Sequence, residues 1–171
     1  VDYLKQAHYL LAGRLFGEGQ LEAAAAHYLA ADDYEDASER RRESVYLQAK
    51  ALLEAGEREA ATLLLKQVED YRDARDILNS TAYELASQLK AAGDYRQAAE
   101  QFALISGYSD ADVQAEESYD LYYQDAYEAA RAAIRSADYK TAIDALDPLD
   151  RENPGHKHRH VTNLSREAVY N

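Results

Sequence analysis

The sequence predicts an all-α protein made of tandem helix hairpins, and three features lead there. First, the chain repeats itself: Tyr9, Tyr46 and Tyr83 lie 37 residues apart, and many other positions keep that period. Second, Ala, Leu, Glu, Gln, Lys and Arg dominate, and these are strong helix formers. Only seven Gly and two Pro are present, too few for the turns of an all-β fold. Third, apolar residues recur at spacings of three and four along segments such as 36–55, as one helix face turned inward requires.

Several residue types carry the period at once. Ala12, Ala49 and Ala86 keep it, as do Leu15, Leu52 and Leu89, Gly19, Gly56 and Gly93, and Ala24, Ala61 and Ala98. The tetrad Tyr34-Glu35-Asp36-Ala37 returns as Tyr71-Arg72-Asp73-Ala74 and Tyr108-Ser109-Asp110-Ala111. A fourth copy follows after 44 residues, with Tyr127, Ala130, Ala137 and Ala142 in the places of Tyr83, Ala86, Gly93 and Ala98. Seven extra residues make nearly two helical turns, about 10 Å of rise, so this copy keeps its face and has a longer first helix. At the fifth position Asn153-Pro154-Gly155 replaces the tetrad, and the array is expected to end. The repeats therefore fall at 3–33, 34–70, 71–107 and 108–150 in a single domain, 1–171. A short capping helix is expected over 154–170, where Val161, Leu164 and Ala168 have helical spacing.

Each copy reads as a hairpin. The segment from Asp36 to Ala55 forms a long helix that Gly56 stops, and a shorter helix then brings Ala61, Leu65 and Val68 to one face. The next long helix is expected to open at Asp70, with Asp70 capping free amides and Asp73 in the first turn. Asp33 with Asp36 repeats this arrangement, and Gly107 takes the cap position before Asp110. The Tyr-x-Asp-Ala tetrad thus has a structural reading, a helix start with its Tyr packed between repeats, which is preferred to a catalytic role for the aspartates.

The second half of each copy resembles the tetratricopeptide repeat. Gly93-Asp94-Tyr95-Arg96-Gln97-Ala98, followed by Phe102, matches that family's turn and second helix. Ala137-Asp138-Tyr139-Lys140-Thr141-Ala142, followed by Leu146, repeats it with Ala for Gly. The first helix departs from the family, with Ala82 and Ala86 in place of Trp and Gly, and the period exceeds the family's 34. The resemblance implies a right-handed α-solenoid, a superhelix of about four helix-hairpin repeats with a C-terminal capping helix. It also implies that the first helices line a concave ligand-binding face. Tyr9, Tyr46, Tyr83 and Tyr127 then share one position of that face, with Gly13, Lys50, Ser87 and Arg131 one turn later. Lys90 and Arg135 follow. The family's clamp for a C-terminal carboxylate uses Lys, Arg and Asn where this chain has Tyr, so that mode is not expected.

A tyrosine ladder offers stiff, amphipathic contact area at low entropic cost. Interleaved Lys50, Lys90 and Arg131 would orient an extended or helical peptide carrying an acidic residue. The same tyrosines would equally serve as packing between adjacent repeats. Tyr119, Tyr122, Tyr123 and Tyr127 crowd the inserted turns as a second aromatic group, and packing is the preferred reading there. In His156-Lys157-His158-Arg159-His160 the alternate spacing does not place the imidazoles on one helix face, and the interleaved cations oppose a metal, so this run reads as a solvated loop.

A net charge of −13 repels phosphate backbones and anionic lipids, which argues against nucleic acid or membrane surfaces as partners. With no cysteine there is no thiol nucleophile or thiolate metal site, and the composition suits a reducing, cytoplasmic setting. Val1 falls inside a helical pattern, which reads as a piece of a longer protein. Phosphate loops, zinc-protease helices, nucleophile elbows and dinucleotide fingerprints are all missing from the sequence. The expectation is therefore a protein- or peptide-binding scaffold, not an enzyme, with no catalytic residues, cofactor or metal, as a monomer or weak homodimer. The alternative is a structural spacer or oligomerisation module with no ligand groove.

Overall fold

The computed structural model describes residues 2–152, which form eight α-helices and no strand. The expected capping helix over 154–170 and the run His156–His160 lie outside the described residues. Long and short helices alternate. The long ones are α1 (Tyr3–Gly17), α3 (Ala37–Glu54), α5 (Ala74–Ala92) and α7 (Ala111–Arg135). The short ones are α2 (Leu21–Ala31), α4 (Arg58–Lys66), α6 (Tyr95–Leu104) and α8 (Tyr139–Glu152). At 25 residues α7 exceeds the 18 of α3 by the seven residues that separate a spacing of 44 from one of 37.

The turn from each long helix into its short partner is built the same way four times. Gly19, Gly56 and Gly93 have φ of 77°, 81° and 88°, and Ala137 takes φ 57° at the same place. The amide after each donates five residues back: Gln20 to Leu15, Glu57 to Leu52, Asp94 to Leu89 and Asp138 to Ala133, at 2.8–2.9 Å. With the three-residue bonds from Gly19, Gly56, Gly93 and Ala137 this is a Schellman closure, which satisfies carbonyls the helix end would leave open. Glycine suits it because a Cβ at positive φ is strained. Ala137 accepts that strain.

The link back from short helix to long helix differs from the expectation. The long helices begin at Ala37, Ala74 and Ala111, three residues later than caps at Asp33, Asp70 and Gly107 would place them. Two consecutive three-residue turns occupy the interval, with amides of Tyr34, Tyr71 and Tyr108 bonded to Ala31, Val68 and Ile105. Those of Ala37, Ala74 and Ala111 bond in turn to the tyrosine carbonyls. Every third residue therefore faces inward: Ala31, Val68 and Ile105 are buried, then the tyrosine is at least half-buried, then Ala37, Ala74 and Ala111 are fully buried. The residue between Tyr and Asp is left-handed in all three copies, at Glu35, Arg72 and Ser109 (φ 47°, 50° and 51°). Asp36 and Asp110 stand at the cap position without capping the helix, because their carboxylates are engaged elsewhere. True side-chain caps occur at Asp2, which accepts from the amides of Leu4 and Lys5, and at Asp138, which accepts from the amide and hydroxyl of Thr141.

The helices gather into two compact units, Val1–Thr81 and Ala82–Asn171. In the first, α1 packs on α2, α2 on α3 and α3 on α4. One cluster joins Ala12, Ala24, Tyr28, Ala31 and Ala37, and a second joins Val45, Tyr46, Ala49, Leu65, Val68 and Tyr71. In the second unit α6 packs on α7 and α7 on α8. Its core joins Ala86, Ala98, Phe102, Ile105, Ala111 and Ala115, with Ala130, Ala133 and Ala142 forming a smaller cluster. Alanine at the crossing points lets backbones approach closely, and the larger Leu65 and Phe102 fill the space beyond. Burying each of those side chains contributes about 2 kcal/mol.

Candidate functional site

The residues singled out by the sequence fall into two groups in the structure. Tyr9, Tyr46 and Tyr83 project from the middle of α1, α3 and α5, and their hydroxyls donate to Asp36, Asp73 and Asp110 at 2.5–2.6 Å. Each bond spans 27 residues and joins a long helix to the tetrad that opens the next one. The rings are also held. Tyr9 lies edge-on to Tyr28 and tilted against Tyr34, Tyr46 lies edge-on to Tyr71, and Tyr83 lies edge-on to both Phe102 and Tyr108, with centroids 5.2–6.2 Å apart. Such pairs add to area burial by about 0.5–1.5 kcal/mol each.

The electrostatics follow from these bonds. Hydrogen bonding to the carboxylate lifts each tyrosine above its ordinary pKa, and burial adds to the rise. The same bonds hold Asp36, Asp73 and Asp110 below the usual carboxylate range. Secondary partners differ among the copies: Arg40 Nε bonds to Asp36 and Gln114 Nε2 to Asp110, each from one turn later. Ile77 occupies that place in the middle copy.

Exposure separates the ladder further. Tyr46 is only 4% exposed and offers a ligand little surface, whereas Tyr9, Tyr83 and Tyr127 are half-buried with part of each side chain open. Lys50 is exposed and its ammonium stands 5.7 Å from the Tyr46 ring centroid. Lys90 is already engaged, with its Nζ 2.8 Å from both Gln114 Oε1 and Glu117 Oε2. Arg131 is exposed on α7. In the second aromatic group Tyr119 stacks on Tyr123 at 6.4 Å and Tyr122 tilts against Tyr123 at 5.5 Å, all three half-buried.

Sequence reasoning missed several features, although most kept the same period. The constant 27-residue offset from Tyr to Asp was visible and could have suggested the bond. Ser44, Thr81 and Ser118 recur at 37, and each donates to a carbonyl four residues back. Lys5 reaches Asp32 and Asp33, and Arg42 reaches Asp70, so the first two links each hold a cation from the preceding long helix. Arg72 sits over both Tyr46 and Tyr71, at 5.4 and 5.0 Å. His8 and His27 pair through their Nδ1 atoms at 2.9 Å, in the place where the next copy has Val45 and Leu64.

Among the described residues, no group of three or more His, Cys, Asp or Glu is placed to hold a metal ion, and no helix is long and apolar enough to cross a membrane. No protein-family model, curated protein or solved structure matches the chain.

Proposed function

We propose that this chain is a tetratricopeptide-like scaffold that binds protein or peptide ligands reversibly, using the exposed edges of its long-helix tyrosines. One observation carries the reading: Tyr9 and Tyr83 are partly exposed, while their hydroxyls are bonded to Asp36 and Asp110 and their rings are braced by neighbouring aromatics. An anchor already held in one rotamer loses little entropy when a ligand covers it. Tyr127 and the exposed Lys50 and Arg131 extend the contact surface, with Lys90 contributing less because Glu117 neutralises it. The right-handed solenoid and its concave face belong to the same proposal.

The spacer or oligomerisation reading is favoured by one fact, the burial of Tyr46 at the centre of its cluster, which is what packing alone would produce. Affinity capture distinguishes the two. The intact chain would be compared with a Lys50→Ala/Tyr127→Ala/Arg131→Ala variant shown to be folded by circular dichroism. A partner retained by the intact chain and lost by the variant supports the scaffold reading. Equal retention would move the contact away from Lys50, Tyr127 and Arg131, and a stable dimer in light scattering with no captured partner puts the spacer reading first.

A further inference from the structure

We propose that the exposed face of α1 is a self-association surface, on which a second copy of the chain lays its own α1 antiparallel about a twofold axis through Leu10. The contact does not use the tyrosines of the proposed ligand face and goes beyond that reading.

The face is apolar and open. Tyr3, Leu4 and Leu10 are 77%, 69% and 63% exposed, and Ala7 among them is exposed too. In later copies the same positions are covered. Leu47 stands where Leu10 does, Ile77 and Leu78 stand where Tyr3 and Leu4 do, and all three pack against the core cluster of Leu65 and Val68. The repeat thus builds this face to lie under another element, and on α1 the described residues leave it open.

A second α1 fits it. In an antiparallel pair centred on Leu10, Tyr3 of each copy faces Gly17 of the other, and Ala7 faces Gly13. Large side chains then meet small ones, and the backbones can approach closely. Within the chain nothing calls for glycine at position 17. Its φ is not positive, an added Cβ would meet no atom within 4 Å, and glycine weakens a helix. Charge permits the approach as well. The whole chain carries −13, but residues 2–18 hold two acids, Asp2 and Glu18, against two bases, Lys5 and Arg14. Lys5 is turned to Asp32 and Asp33, and Arg14 lies 3.7 Å from Glu18. Two acidic copies therefore meet at a surface with no net charge, and antiparallel helices set opposite dipole ends side by side. Three large side chains per copy place the contact below the roughly 1,200 Å² of a stable interface, so the dimer is weak.

Sedimentation equilibrium on the full chain is expected to show a monomer–dimer equilibrium with a Kd on the order of 100 µM. Leu10→Glu sets two like charges on the axis and is expected to weaken association by at least about tenfold, with an unchanged circular dichroism spectrum. Gly17→Ala is expected to raise the urea midpoint while weakening association about threefold, opposite effects that a role within the fold alone would not produce. Leu63→Glu, at a position 65% exposed on α4, is the control and is expected to change association by less than about twofold. Because the chain has no cysteine, Leu10→Cys should give a disulfide-linked dimer under mild oxidation, and Leu63→Cys should not. A chain that stays monomeric at millimolar concentration would overturn the proposal, as would equal effects at positions 10 and 63. Assembly that grows past two copies would also overturn it, since a twofold contact closes at the dimer. None of these substitutions touches Lys50, Tyr127 or Arg131, so the capture experiment decides the scaffold reading separately.

Discussion

The hydroxyl of Tyr46 donates to the carboxylate of Asp73 at 2.5 Å, across 27 residues of sequence, and so pins the middle of α3 to the turn that launches α5. The same relation joins Tyr9 to Asp36 and Tyr83 to Asp110. Tyr46→Phe keeps the ring and removes the bond, and is expected to lower stability in urea by about 1 kcal/mol. Asp73→Ala should cost a similar amount. In a double-mutant cycle the two losses should fall short of additivity, and full additivity would mean that the bond contributes nothing.

The pH dependence of stability should carry the same signature at both ends. Asp36, Asp73 and Asp110 have depressed pKa values in the folded state, so their contribution is present above the ordinary carboxylate pKa near 4 and disappears as pH falls through the depressed values. Tyr9, Tyr46 and Tyr83 have raised values, so their contribution is present below the ordinary tyrosine pKa near 10 and disappears as pH rises through the raised values. Urea midpoints measured across pH should fall at both extremes. In a Tyr9→Phe/Tyr46→Phe/Tyr83→Phe variant the alkaline fall should be smaller.

Ala137 holds the left-handed place that Gly19, Gly56 and Gly93 fill elsewhere. Ala137→Gly relieves that strain at some cost in unfolded-state entropy and is expected to stabilise by about 0.5–1 kcal/mol. Gly56→Ala should destabilise by a similar amount. No atom lies within 4 Å of the added Cβ, so the effect there comes from the backbone alone. Thermal melts would show the opposite signs.

Within the first hairpin, His8 and His27 satisfy each other through Nδ1. His8→Val leaves the His27 nitrogen without that partner and should cost about 1–2 kcal/mol. His8→Val/His27→Leu recreates the pair Val45 and Leu64 of the next copy and should recover most of the loss. A double variant less stable than His8→Val would mean that the imidazoles pack irreplaceably.

Much of this architecture was legible before any coordinates. Helix content followed from composition, and the hairpin turns followed from Gly19, Gly56 and Gly93, because few other residues take positive φ without strain. The aspartates of the tetrad were legible as conserved in position along the chain but misread in role. Asp36, Asp73 and Asp110 were read as acids of the first helical turn, behind caps at Asp33, Asp70 and Gly107, and nothing local reveals that a phenol 27 residues earlier binds each carboxylate. The partners of Lys90 were hidden for the same reason. Its charge is visible in the sequence, while its neutralisation by Glu117 depends on how α5 and α7 pack. The left-handed Glu35, Arg72 and Ser109 could not be anticipated, since none of those residue types favours that conformation.

The 27-residue reach of the tyrosine bonds also bears on synthesis. At a translation rate of about 5–20 residues per second, each aspartate leaves the ribosome a few seconds after its tyrosine. Tyr9 can be secured to Asp36 before Asp73 has been made, and Tyr46 to Asp73 before Asp110. No bond in this series waits for a distant terminus. Folding can therefore advance from the N-terminal end in step with elongation, each completed tie presenting the next long helix with an ordered surface on which to form.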